Sequence, residues 1–242
     1  MNTSKKICVA TLCAAMAGAF PAKAQDKLKV TAKGDLVSDY IWRGSDQGSD
    51  FSVQPALGLS YKGFTIGAWG SQSLTKANGS QEFDLFVAYT AGPVTLTVTD
   101  YWWNGIEGRY GDYKTGHHFE GGVAWRVSDR VPLTLGWATM WAGADDNKHG
   151  DRAFSTYISA SYETAVPGDI TLTPAVGFTP WKGLYNANSA SFTDISLKAS
   201  KTVSLGKSLE MPLFVQAVFA PYDQKHGVDK TYLLFGVSLA LK

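Results

Sequence analysis

Seven residues between positions 39 and 84 have side chains that could select a solute: Asp39, Arg43, Gln54, Trp69, Ser71, Glu82 and Asp84. Together they supply a cation, three carboxylates, an amide, a hydroxyl and an indole. If each lies on an extended segment, alternation puts all seven on one face. All fall toward the same end of neighbouring segments, so pairing the strands would gather them. A ring of charged side chains around a narrow passage discriminates ions through its field. The same residues also fit a closed network, with Arg43 neutralised by Glu82 or Asp84 and nothing passing. A buried arginine left alone is costly, so pairing is expected under either reading.

A second group, His117, His118 and Glu120, carries less. His118 and Glu120 share a face, as an acid–base pair or two metal ligands would. Hydrolysis by a barrel enzyme needs a serine nucleophile beside the histidine, yet Phe119, Glu120, Gly121 and Gly122 follow directly. A metal site would want more ligands, and His149 and His226 sit in other segments. These are read as lumen or loop residues. No enzymatic activity, cofactor or metal is expected.

The elements that would position these residues are strands. Apolar residues recur at every second position through twelve segments: 27–43, 52–61, 64–73, 82–91, 94–103, 118–127, 131–142, 153–163, 170–179, 192–203, 211–220 and 231–241. One phase carries Val53, Leu57, Leu59 and Tyr61, then Phe83, Leu85, Val87 and Tyr89, then Leu133, Leu135, Trp137 and Trp141. The opposite phase is mostly Gly, Ser, Thr and Ala. Within 27–43, Leu36, Tyr40 and Trp42 are assigned to the apolar phase. Segment 211–220 is ambiguous, because Phe214 and Val218 fall on the polar side.

Connections alternate in length without a break. Lys62-Gly63, 91–93, 128–130, 165–169 and 204–210 are short, whereas 44–51, 74–81, 104–117, 143–152, 180–191 and 221–230 are longer and polar. Tight turns on one side and long loops on the other, with ten-residue strands and aromatic residues at strand ends, are the pattern of a transmembrane barrel. A soluble barrel or sandwich usually has strands of about five or six residues. A sheet can cross a bilayer only when closed, since lipid offers no partner to an edge amide. The expected fold is therefore all-β, a transmembrane antiparallel up-and-down barrel of about twelve strands. Gly236, Leu239 and Leu241 have the spacing of an outer-membrane assembly signal, without its terminal aromatic residue.

Lys5 and Lys6 precede an apolar run from Ile7 to Ala19, and Ala22-Lys23-Ala24 has the small-x-small form of a cleavage site. Residues 1–24 are read as a cleaved signal peptide and 25–242 as a single barrel domain. Both cysteines, Cys8 and Cys13, lie in the leader, so the mature chain would hold no disulfide or thiolate site. Cleavage also removes three lysines, leaving 19 basic against 21 acidic side chains. That balance does not suggest nucleic-acid binding.

Residues 38–44, Ser-Asp-Tyr-Ile-Trp-Arg-Gly, with Gln47 and Gln54-Pro55, resemble the opening of the TorF-type porins, Gram-negative barrels of similar length. Gly67-Ala68-Trp69-Gly70-Ser71, Glu82-Phe83-Asp84-Leu85 and Tyr101-Trp102-Trp103 extend the resemblance over about residues 36–105. It implies an outer-membrane location and a pore, and carries no substrate or catalytic residue. The function expected is passive passage of small solutes, the alternative being a sealed structural or surface-binding barrel. Expected partners are outer-membrane lipids, small solutes and the barrel-assembly machinery. If the leader reading holds, mass spectrometry of the exported protein will show a chain beginning at Gln25; retention of residues 1–24 would refute it.

Overall fold

In the computed structural model, residues 27–76, 81–103, 109–114, 116–186, 188–206, 209–222 and 227–241 are described, and the leader 1–24 lies outside them. The strands are β1 (Lys29–Val37), β2 (Ile41–Trp42), β3 (Ser45–Asp46), β4 (Ser52–Tyr61), β5 (Phe64–Ser73), β6 (Gln81–Ala91), β7 (Val94–Trp103) and β8 (His117–Arg126). They continue with β9 (Leu133–Gly143), β10 (Thr156–Tyr162), β11 (Thr164–Val166), β12 (Ile170–Thr179), β13 (Ser191–Leu205), β14 (Leu209–Ala220) and β15 (Lys230–Leu241).

Apart from β2 and β3, every strand pairs antiparallel with its neighbour in sequence, and β1 closes the circuit by pairing with β15. β10 and β11 form one interrupted stave, both pairing with β12. The result is a closed barrel of twelve staves, with no helix among the described residues. Closure gives each wall strand two partners, so no edge faces lipid.

The alternation in sequence becomes an alternation in exposure. Along β6, Phe83, Leu85, Val87 and Tyr89 are exposed while Glu82, Asp84, Phe86 and Ala88 are buried. Leu57, Ile66, Val87 and Leu96 are each 50–52% exposed, far more than a water-soluble domain leaves to its large apolar side chains. They belong to a continuous apolar belt that only lipid would cover. The long and short connections fall on opposite ends of the barrel, as their alternation requires.

Two features of the first and eleventh expected segments differ from the sequence reading. β1 ends at Val37, and the chain then leaves the wall instead of continuing to residue 43. Residues 41–46 fold inward as a small hairpin, β2 against β3, with Ile41 opposite Asp46 and Trp42 opposite Ser45. Tyr40 and Trp42 consequently do not face lipid. Tyr40 is buried against Ala56, Trp69 and Phe86, with Trp42 packed on that group. The ambiguous phase of 211–220 has the same origin: Val218 and Leu234 are buried against Ile41, with Phe214 and Tyr232 alongside. The inner wall is apolar there because the hairpin packs on it.

Arginine in place of Val87 would put a charge near the middle of the apolar belt. Guanidinium titration of the barrel in lipid is expected to show a loss of about 2–4 kcal/mol, with Val87→Leu close to neutral. Equal stability of both variants would contradict the assignment of outer and inner faces.

Candidate functional site

The inward hairpin turns on Arg43 and Gly44. Both have positive φ, 51° and 82°, the conformation of a two-residue type I′ hairpin turn. Gly44 fits because a Cβ there would run into the Thr193 carbonyl. Arg43 has no such excuse, and a non-glycine residue in this region costs about 1–2 kcal/mol. The strain is held by what the side chain reaches.

Arg43 crosses the lumen to Glu120 on β8. Nη1 donates to Oε2 at 2.5 Å and Nη2 to Oε1 at 2.9 Å, a bidentate pair with both side chains buried. The guanidinium carbon lies 4.6 Å from the Trp42 ring centre, 4.5 Å from Tyr157 and 5.1 Å from Tyr185. Nη1 also donates to the Tyr185 hydroxyl. Glu120 is further held by the Tyr101 hydroxyl at 3.0 Å and by Tyr185 at 3.2 Å. Trp42 sits 5.5 Å from both Tyr101 and Trp103, which stack on each other at 5.4 Å. The cation is thus caged by three rings and neutralised by one carboxylate, the arrangement that makes a buried arginine tolerable.

Two β-bulges aim wall residues at this hairpin. The register of β8 against β9 shifts between Phe119 and Glu120, and that of β12 against β13 shifts at Gly177/Phe178, beside Thr193 and Asp194. Asp194 accepts hydrogen bonds from Tyr157 and Thr193, at 3.1 Å and 2.8 Å. Tyr185 comes from the connection 180–190, which Ser155 anchors by accepting the Leu184 amide at 2.6 Å. Ser155 in turn is bound through its hydroxyl and amide to Asp145.

The residues singled out in the sequence are distributed over two places and the rim. Gln54, Trp69, Ser71, Glu82 and Asp84 are buried on the inner faces of β4, β5 and β6. Gln54 Nε2 donates to Ser71 Oγ at 3.3 Å, Ser71 pairs with Glu82, and Trp69 pairs with Asp84. Arg43 is opposite this wall and pairs with neither Glu82 nor Asp84, contrary to the expectation. Its turn carries it past β6 to β8, where Glu120 lies. Asp39 stays half-buried at the rim, accepting the Tyr40 amide at 2.7 Å. Sequence reasoning set Glu120 beside His118 on the inner face, not beside Arg43, and did not single out Tyr101, Tyr157, Tyr185 and Asp194 for this site. The wrong-phase apolar residues Phe214 and Val218 were the available signal that something packs inside.

His117 is on the outer phase of β8, not the lumen. Its Nδ1 lies 2.7 Å from Asp100 and its Nε2 2.5 Å from the Tyr110 carbonyl, fastening residues 109–114 to the wall. His118 faces inward, edge-on to Trp103 at 4.8 Å. No group of three or more His, Cys, Asp or Glu side chains among the described residues is arranged to hold a metal ion.

A closed twelve-stave barrel with a lipid-type outer belt and a charged lumen defines a porin-type architecture. The chain belongs to the family described as "Bacterial protein of unknown function (Gcw_chp)", whose profile matches residues 21–225. Among solved structures it is similar to a "KdgM porin in complex with disordered oligogalacturonate", at 8% identity and a TM-score of 0.50, over 88% of this chain and 98% of that one. A "KdgM porin" matches at 9% identity and a TM-score of 0.47 over 88% and 98% of the two chains. A "Bacterial polysaccharide outer membrane secretin" matches at 9% identity and a TM-score of 0.43 over 91% and 99%. The likeness is one of fold. No curated protein matches the sequence.

Arg43→Gln would leave Glu120 buried without its cation, and a loss of about 3–5 kcal/mol is expected in denaturant titration. Arg43→Gln combined with Glu120→Gln should recover part of it, whereas Glu82→Gln should not. Rescue by Glu82→Gln instead would overturn the pairing.

Proposed function

We propose that the protein is an outer-membrane porin-like barrel that passes small solutes through a lumen narrowed by the hairpin 41–46. The observation that carries this reading is the pairing of a closed wall with an inner face that bears many small and polar side chains beside the aromatic groups packed on the hairpin. Thr65, Thr97, Thr99, Ser196 and Ser200 are buried on inner faces, and none is bulky enough to fill the lumen. Twelve strands lie between eight, whose interior side chains fill, and sixteen, whose interior is an aqueous channel. Below the hairpin, Arg43 and Tyr157 roof a small cavity of about 20 Å³ lined by Thr97, Gly122, Ala124, Gly136, Ala138 and Ser159. Small residues there leave local space beneath the hairpin. The resemblance of residues 36–105 to the TorF-type porins supports the same assignment, and with it an outer-membrane location.

The mouth is acidic. Arg43 stands against Glu82, Asp84, Glu120 and Asp194, so its field favours cations. A second reading, a sealed barrel with a surface or structural role, is favoured by the Arg43–Glu120 pair itself. A buried bidentate pair inside an aromatic cage is better suited to a fixed plug than to a wet passage.

Planar-bilayer recording separates the two. The channel reading expects small, cation-selective conductance in the native protein and larger conductance in Arg43→Gln, whose hairpin has lost its anchor. No current from either protein, both folded and inserted, would establish the sealed reading.

A further inference from the structure

We propose that the cage around Arg43 is a recognition site for solutes carrying a guanidinium group, and that Arg43 fills it as a tethered stand-in for such a solute. The receptor half of the cage belongs to the wall and not to the hairpin. Glu120 is presented by the β8 bulge and oriented by the Tyr101 hydroxyl at 3.0 Å and the Tyr185 hydroxyl at 3.2 Å. Tyr157 lies on β10 and is held by its hydrogen bond to Asp194 at 3.1 Å. Tyr185 is carried by the connection that Ser155 anchors through the Leu184 amide. Only Trp42 and Arg43 come with the hairpin. Withdrawing the arginine would leave an oriented carboxylate flanked by two ring faces, preorganised for a planar cation.

The present occupant is held at a cost that a free ligand would not bear. Arg43 keeps a φ of 51°, and its Nε is buried without a hydrogen-bond partner. Backbone strain of this kind collects at binding sites and switch regions. An untethered alkylguanidinium can make the same two hydrogen bonds to Glu120 with no strained turn behind it, and can present either edge of its fork. Guanidinium also suits the cage better than an alkylammonium. Its planar fork meets both carboxylate oxygens and its face lies against Tyr157 and Tyr185, 4.5 Å and 5.1 Å from the ring centres. A group on a short tether competes at an effective concentration in the millimolar range, and the strain lowers that advantage. Displacing Arg43 frees the tip of the hairpin, which then keeps only the contacts of Tyr40, Trp42 and Ile41. A solute of this class would thus loosen the segment that narrows the lumen. The inference rests on the channel reading for its solute, whereas its test measures binding without current.

The test uses the barrel folded in detergent micelles, with ethylguanidinium as the probe and neutral N-ethylurea, of similar shape, as its control. Hydrogen–deuterium exchange over residues 40–47 reads the hairpin, where the Gln47 amide donates to the Tyr40 carbonyl at 3.0 Å. In the native barrel, ethylguanidinium is expected to speed that exchange saturably, by about tenfold, with β5 unchanged and N-ethylurea without effect. In Arg43→Ala, verified as folded by heat-modifiable electrophoretic mobility, the emptied cage should bind the probe outright. Its unfolding temperature should rise with ethylguanidinium, and Arg43→Ala combined with Glu120→Gln should lose that response. Asp129→Asn, in a short turn at the other end of the barrel, should behave as the native protein does. A native hairpin that ignores ethylguanidinium would overturn the proposal even if Arg43→Ala responds, because a purely structural pin gives that rescue alone. Equal responses to ethylguanidinium and N-ethylurea would overturn it too, and the native barrel decides the matter should Arg43→Ala not fold. A barrel that conducts yet ignores ethylguanidinium defeats this inference alone; one that binds it and passes no current defeats the channel reading alone.

Discussion

A guanidinium buried inside a barrel is the feature on which the interior depends. Removing Arg43 from water costs several kcal/mol before any partner is found. Glu120, the Tyr185 hydroxyl and the faces of Trp42, Tyr157 and Tyr185 offset that cost together. None of these contacts is possible unless the chain leaves the wall after Val37, turns through two left-handed residues and meets the register shifts of β8 against β9 and of β12 against β13. The hairpin, its turn and the local irregularities of the ladder are therefore parts of one arrangement.

The hairpin is also held by apolar contact on two stretches of the wall, one to either side of β1. Tyr40 and Trp42 lean on β4, β5 and β6, while Ile41 leans on β14 and β15. Alternation along an extended strand makes this possible, since successive side chains point to opposite sides. A segment gripped on both faces and pinned at its tip resists displacement. The interior therefore carries both small inward residues and a brace packed across them.

Much of the wall was legible in the sequence. The segments 52–61, 64–73 and 170–179 coincide with β4, β5 and β12, because a period of two over ten residues admits little ambiguity in a strand with one lipid face. The burial of Gln54, Ser71, Glu82 and Asp84 on the inner phase was legible for the same reason. The end of β1 was not. Tyr40 and Trp42 continue the apolar phase of Leu36, so periodicity alone runs straight through the point where the chain turns inward. The turn pair Arg43-Gly44 lacks the Asn-Gly or Asp-Gly form that usually announces a type I′ hairpin.

The sequence by itself determined the closed wall, its inner and outer faces and the ends carrying long and short connections. Those properties depend on local alternation and turn length, which neighbouring residues encode. Only the tertiary structure decided the partner of Arg43. Glu82 and Glu120 are both inward carboxylates near the same end, and no spacing rule distinguishes them. The choice follows from where a two-residue turn places the guanidinium in three dimensions, from the bulge that presents Glu120, and from a tyrosine delivered by a connection some 140 residues away. Long-range contacts of that kind leave no periodic trace, because they are set by how the barrel closes and what then fits inside it.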